Sequence, residues 1–98
     1  MTNYKRGREA EYKAVRVLEE AGYMAQRSAG SHSVWDVCAV GPSGVRLIQV
    51  KRCKKGASWK WEFGVACEQM EGLPELPGVT REVWVYEDYR GFIKREVV

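Results

Sequence analysis

One histidine, three cysteines and no long apolar run set the first limits on this 98-residue chain. Cys38, Cys53 and Cys67 are odd in number, scattered and without CxxC spacing. A disulfide framework and a structural zinc site are therefore excluded, and a reducing, cytoplasmic setting fits best. No stretch approaches the roughly 20 apolar residues of a membrane span, so no membrane partner is expected. The N-terminus is charged rather than signal-like. Internal repeats and low-complexity tracts are absent as well. At this length a single domain over 1–98 is expected, burying about 60–65% of its unfolded surface.

What is present begins with charge. The net charge of +3 is modest, but its distribution is uneven. Lys5, Arg6 and Arg8 crowd the N-terminus, and Lys51, Arg52, Lys54, Lys55 and Lys60 form a second cluster. A dense basic run of this kind suits a phosphate-bearing partner.

Periodicity outlines the elements. Ala10, Ala14, Val15, Leu18 and Ala21 recur at three- and four-residue steps and predict a helix from about Tyr4 to Ala21, with Gly22 as its stop. At 100° per residue, Glu11 falls within about 40° of Val15 and about 20° of Leu18. It therefore lies on the core-facing stripe, where a carboxylate requires a partner or a cation to offset its desolvation. Tyr23 to Ser28 reads as an edge strand, and Ala29 to Ser33 as a flexible stretch. Val34 to Val40 and Val45 to Lys51 read as a hairpin. A helix over Trp61 to Gly72 follows, burying Phe63, Ala66, Cys67 and Met70. Strands over Arg81 to Glu87 and Phe92 to Val97 close the chain, and Trp84 and Tyr86 share one buried face. The order α-β-β-β-α-β-β predicts a small α/β sandwich, a central mixed sheet of about five strands flanked by two helices. Trp59 and Trp61 are expected in the core or at a dimer interface rather than stacked on bases.

The hairpin carries the most informative group. If Gly41-Pro42-Ser43-Gly44 forms its loop, Val40 faces Val45, Cys38 faces Leu47 and Asp36 faces Gln49. Opposed residues share a face, with Cβ atoms roughly 5 Å apart. Gln49 and Lys51, two apart, leave the strand on the same side. A carboxylate, an amide oxygen and an ammonium then meet at one end of an apolar hairpin, which suits a hard divalent cation beside a phosphate. The Val50 carbonyl lies between them as a further oxygen. Glu62 or Glu68 on the second helix offers a substitute acid.

Taken together, Arg6-Gly7-Arg8-Glu9-Ala10-Glu11, Leu18 to Tyr23, Arg27-Ser28-Ala29-Gly30-Ser31, Asp36 and Gln49-Val50-Lys51 resemble the archaeal-type Holliday-junction resolvases. These belong to the PD-(D/E)XK superfamily, whose fold is restriction-endonuclease-like. Gln49 stands where that family usually has Glu, and Tyr12 where it often has Arg. The resemblance implies a Mg²⁺-dependent endonuclease, with Mn²⁺ as substitute, that resolves four-way DNA junctions as a homodimer by paired symmetric nicks. It places Glu11, Asp36, Gln49 and Val50 around the metal and makes Lys51 and Ser31 catalytic with them. Arg27 and Ser31 would serve junction cleavage. Arg6, Arg8, Arg27, His32, Arg52, Lys54, Lys55 and Lys60 are the expected DNA contacts. Two other outcomes stay open: a nuclease of the same fold acting on flaps, other branched DNA or linear duplex, and a non-catalytic DNA-binding relative.

Overall fold

The computed structural model describes residues 3–28 and 33–98, with side chains from Gly7 onward. Its elements are α1 (Asn3–Glu20), β1 (Met24–Arg27), β2 (Val37–Gly41), β3 (Gly44–Cys53), α2 (Lys60–Glu71), β4 (Val79–Glu87) and β5 (Gly91–Val97). The strands form one mixed sheet in the order β1-β2-β3-β4-β5. Only β3 and β4 pair in parallel, as the intervening α2 crossover requires.

The predicted α/β sandwich is what forms. Strand alternation sorts the apolar residues into two layers. Val37, Ala39, Ile48, Val50 and Trp84 pack beneath Ala10, Ala14 and Leu18 of α1. Leu47 and Val83, pointing the other way, pack with Ala66 and Met70 of α2. Tyr86 and Phe92 join the α1 layer, so the expected Trp84–Tyr86 face is observed. Helix α1 ends where its glycine predicts. Gly22 adopts φ +93°, Tyr23 N–H donates to Leu18 C=O and Gly22 N–H to Glu19 C=O. These are the two bonds of a Schellman cap, which needs a left-handed residue at that position.

The β2–β3 register is also the predicted one, with Val40 opposite Val45 and Cys38 opposite Leu47. Gly41 and Gly44 themselves pair, leaving Pro42-Ser43 as the turn. Gly44 sits at φ +111°, and a Cβ there would stand 2.2 Å from the Gly78 carbonyl oxygen. That close approach brings the starts of β3 and β4 together, through Val45 N–H donating to Gly78 C=O.

One expectation requires correction. Strand β2 starts at Val37, not Val34, so the ladder stops before Asp36 reaches Gln49. The reason is that Val50 N–H, the donor a longer β2 would have used, is taken by the Asp36 side chain. The tryptophans at the start of α2 divide: Trp59 packs edge-on against Phe63, while Trp61 stands 79% exposed on this single chain.

Candidate metal centre and nucleic-acid surface

Asp36 occupies a notch in the sheet. Beyond Ile48, β3 keeps β4 as its neighbour through Cys53 but has lost β2. Asp36 is fixed there at three points. Its N–H donates to Ile48 C=O (2.9 Å), its C=O accepts from Ser28 N–H (2.8 Å), and its Oδ2 accepts from Val50 N–H (2.8 Å). The carboxylate thus lies in line with the backbone hydrogen bonds, between the two faces of the sheet. The N–H and C=O of one strand residue point to the same side, so the Val50 carbonyl also faces this notch. Burial pushes the Asp36 carboxyl above its usual range, against the Val50 N–H and the charges of Lys51 and Arg27, which pull it down.

Gln49 and Lys51 meet Asp36 on the α2 face. All three line one cavity of about 340 Å³, together with Ser33, Val34 and Gln69. Gln49 is only 4% exposed. Its Nε2 donates to the Val34 carbonyl (3.0 Å) and to Gln69 Oε1 (3.1 Å). A backbone carbonyl can only accept, so the amide nitrogen must face Val34 and the amide orientation is determined. What remains is Gln49 Oε1, buried and without a hydrogen-bond partner among the described residues. An orphaned buried acceptor costs about 1–3 kcal/mol. A cation ligand is the chemistry that would satisfy it, and the donors at hand are all oxygens, as Mg²⁺ prefers.

Glu11 stands apart from that cavity. It belongs to the α1 face and pairs with Arg27 at 2.9 Å. Arg27 also lies over the Tyr12 ring, 4.7 Å from its centroid. Burial raises the Glu11 pKa, Arg27 opposes the rise by its hydrogen bond, and the Asp36 charge adds to it. The two carboxylates are therefore near enough to sense each other, one above the notch and one within it. Glu62 and Glu68 are exposed and do not line the cavity. The α2 residue that reaches Gln49 is Gln69, and no set of three His, Cys, Asp or Glu gathers among the described residues.

The predicted DNA contacts separate by environment. Lys54, Lys55 and Lys60 are exposed. Lys54 and Lys55 line an open groove of about 630 Å³ with Glu9, Lys13, Tyr86 and Tyr89. This groove follows the C-terminal end of β3, the same end of the sheet as the Asp36 notch. Arg52 is instead paired in bidentate fashion with Asp88, its Nε 2.9 Å from Oδ1. Arg8 is half-buried in α1. The side chain of Arg6, and both Ser31 and His32, lie outside the described residues. Gln69, the Val34 carbonyl, Lys13 and Tyr89 were not among the predicted site residues. No local signal marks Gln69, whose place at the site comes from its tertiary contact with Gln49.

A mixed α/β sheet whose open notch holds an acid, with an amide and a lysine from the next strand beside it, defines a class of protein suited to holding a cation against a phosphate. Within that class the assignment is specific. The chain matches the family model described as archaeal Holliday junction resolvase (Hjc) over residues 2–77, and it belongs to that family. No curated protein matches it. Family membership implies a nuclease that acts on branched DNA in recombination and repair. Among the described residues no helix is long and apolar enough to cross a membrane.

Proposed function

We propose that this protein is a divalent-metal-dependent, structure-specific endonuclease that resolves four-way DNA junctions by paired symmetric nicks as a homodimer. The observation that carries the reading is the meeting of Asp36, Lys51 and the unpaired Gln49 Oε1 in one cavity. Asp36, Gln49 Oε1 and the Val50 carbonyl would hold the ion, with Glu11 contributing from the α1 side. Bound there, Mg²⁺ supplies Lewis-acid neutralisation of the phosphate charge and activation of water. Lys51 stabilises the scissile phosphate as a point charge. Arg27 holds Glu11 near the notch by its short ion pair and opposes the burial that disfavours the charged form. Replacing the family's Glu by Gln49 removes one negative charge, so the ion is held more weakly than in a three-carboxylate site.

The test sets labelled four-way junction, flap and linear duplex side by side, each with Mg²⁺ and with EDTA. Junction cleavage that requires Mg²⁺ and exceeds cleavage of the other two substrates is the expected result. Equal cutting of linear duplex would assign a restriction-like activity instead. Junction binding without turnover in either Mg²⁺ or Mn²⁺ would make the protein a non-catalytic binder.

The groove beyond β3 is assigned to the DNA backbone. Each lysine that neutralises a phosphate contributes about 0.9 to the salt slope of binding. Lys54→Gln with Lys55→Gln should therefore flatten the plot of log Kobs against log salt by roughly 2. Fluorescence anisotropy with Ca²⁺ in place of Mg²⁺ measures this, and an unchanged slope removes the groove from the interface.

A further inference from the structure

We propose that Gln69 of α2 is a positioning residue for the cation site: it holds the Gln49 amide so that Oε1 is presented as a neutral ligand. The inference rests on the metal-site reading above and assigns a role that reading does not contain. A primary amide has two N–H donors, and both are committed here, one to the Val34 carbonyl and one to Gln69 Oε1. With Val34 alone, the side chain keeps one anchor and can pivot about it. With Gln69 as the second, the amide plane is fixed and its oxygen cannot turn to a protein donor. The arrangement also orders Gln69, since a side chain accepting from Gln49 Nε2 must present oxygen rather than nitrogen. The cavity that Gln69 lines contains Asp36 and Lys51 as well, so the positioned oxygen belongs to the same wall as the acid. Partners that orient a metal ligand typically affect affinity by about 10- to 100-fold when lost.

Gln69 is exposed, so its replacement should leave the fold intact. Mn²⁺ binding to the purified protein without DNA, followed by electron paramagnetic resonance, reads the site independently of cleavage. Gln69→Leu should weaken Mn²⁺ binding about 10-fold and raise the Mg²⁺ concentration giving half-maximal cleavage by a similar factor. The maximal rate at saturating Mg²⁺ should change far less. Gln69→Glu keeps an acceptor for Gln49 Nε2 and should bind Mn²⁺ at least as tightly as wild type. In a Gln49→Ala background, Gln69→Leu should have no further effect on Mn²⁺ binding, because the group it positions is gone. If wild type binds Mn²⁺ and Gln69→Leu binds it equally well, the positioning role is refuted while the metal site stands. Equal losses in Gln69→Leu and Gln69→Glu would refute it too. Wild type that binds no Mn²⁺ sinks the metal-site reading and this inference together.

Discussion

Asp36→Asn should reduce junction cleavage at saturating Mg²⁺ by at least about a thousandfold, roughly 4 kcal/mol of transition-state stabilisation, while leaving junction binding and folding intact. The substitution is isosteric, and the asparagine oxygen can still accept from Val50 N–H, the bond that closes the notch. The backbone bonds of residue 36 to Ile48 and Ser28 do not involve the side chain. What disappears is the negative charge that the proposed cation site would need.

Stability should move in the opposite direction to activity. Burial raises the folded-state pKa of Asp36 above its ordinary value, so the folded protein binds this proton more tightly than the unfolded chain does. The protonated carboxyl is therefore compatible with folding at low pH. Its contribution to stability is lost as pH rises from the unfolded pKa through the folded one, and the folded state remains disfavoured above it. At neutral pH an asparagine avoids this penalty. The melting temperature of Asp36→Asn should thus be no lower than that of wild type, and its dependence on pH above the ordinary carboxyl range should be shallower. A variant that still cuts junctions at the wild-type rate would remove Asp36 from the metal site.

Two features that a cation would relieve gather in one place. Asp36 is a half-buried acid with a raised pKa, and Gln49 Oε1 is a buried acceptor without a partner among the described residues. Both lie in the wall of a single cavity. Local conflicts with the rules that hold elsewhere in a fold are expected where a ligand resolves them. Here a cation would resolve both, by neutralising the acid and accepting the amide oxygen as a ligand.

How much of this was legible in the sequence depends on the range of the interaction. Helix α1, its glycine cap and the hairpin register follow from spacings within about 20 residues, and each is observed. The juxtaposition of Asp36 with Gln49 also followed from register, although its physical form did not. The expected regular pair is in fact an acid past the end of the ladder, held by a backbone donor. Residues paired by tertiary contact were not legible. Nothing in the local pattern distinguishes Gln69 from Glu68 as the α2 side chain that reaches Gln49. Glu11 was placed on the buried stripe by its angle, yet its partner Arg27 comes from β1. Arg52 belonged to a basic run suited to DNA, but Asp88, the residue directly after β4, claims it. Charge runs report composition, whereas the availability of each charge is decided by what the fold brings opposite.

The same long-range logic gives the largest expected loss of stability. Glu82→Ala should lower stability by about 3–5 kcal/mol, the usual consequence of removing one partner from a buried ion pair. Glu82 is 2% exposed and accepts from Arg46 Nε (2.7 Å), Arg46 Nη2 (2.8 Å), Thr80 Oγ1 (2.6 Å) and Trp84 Nε1 (3.0 Å). Removing the carboxylate leaves the guanidinium and the indole N–H without their acceptor, beneath the Tyr23 and Trp84 rings that Arg46 approaches. In a domain of this size each kcal/mol shifts the melting temperature by about 4–8 °C, so a fall of about 12–40 °C is expected. Burial alone would raise the Glu82 pKa, but the hydrogen bonds from Arg46, Thr80 and Trp84 outweigh it and the net shift is downward. A depressed folded-state pKa contributes stability above the unfolded value, and that contribution is lost as pH falls through the folded one. Wild type should therefore lose melting temperature progressively below about pH 4.5, the ordinary glutamate value, and Glu82→Ala should lack this component of the acid loss. The network ties β3 to β4 where Ile48 lies opposite Glu82, one residue before Gln49. It fixes the parallel register on which the proposed cation site is built, but contributes no group to it. Below its lowered melting temperature, Glu82→Ala should still cut junctions in Mg²⁺ within about tenfold of wild type, a difference of roughly 1.4 kcal/mol. A fully folded variant devoid of cleavage would show that this end of the sheet does more than set the register.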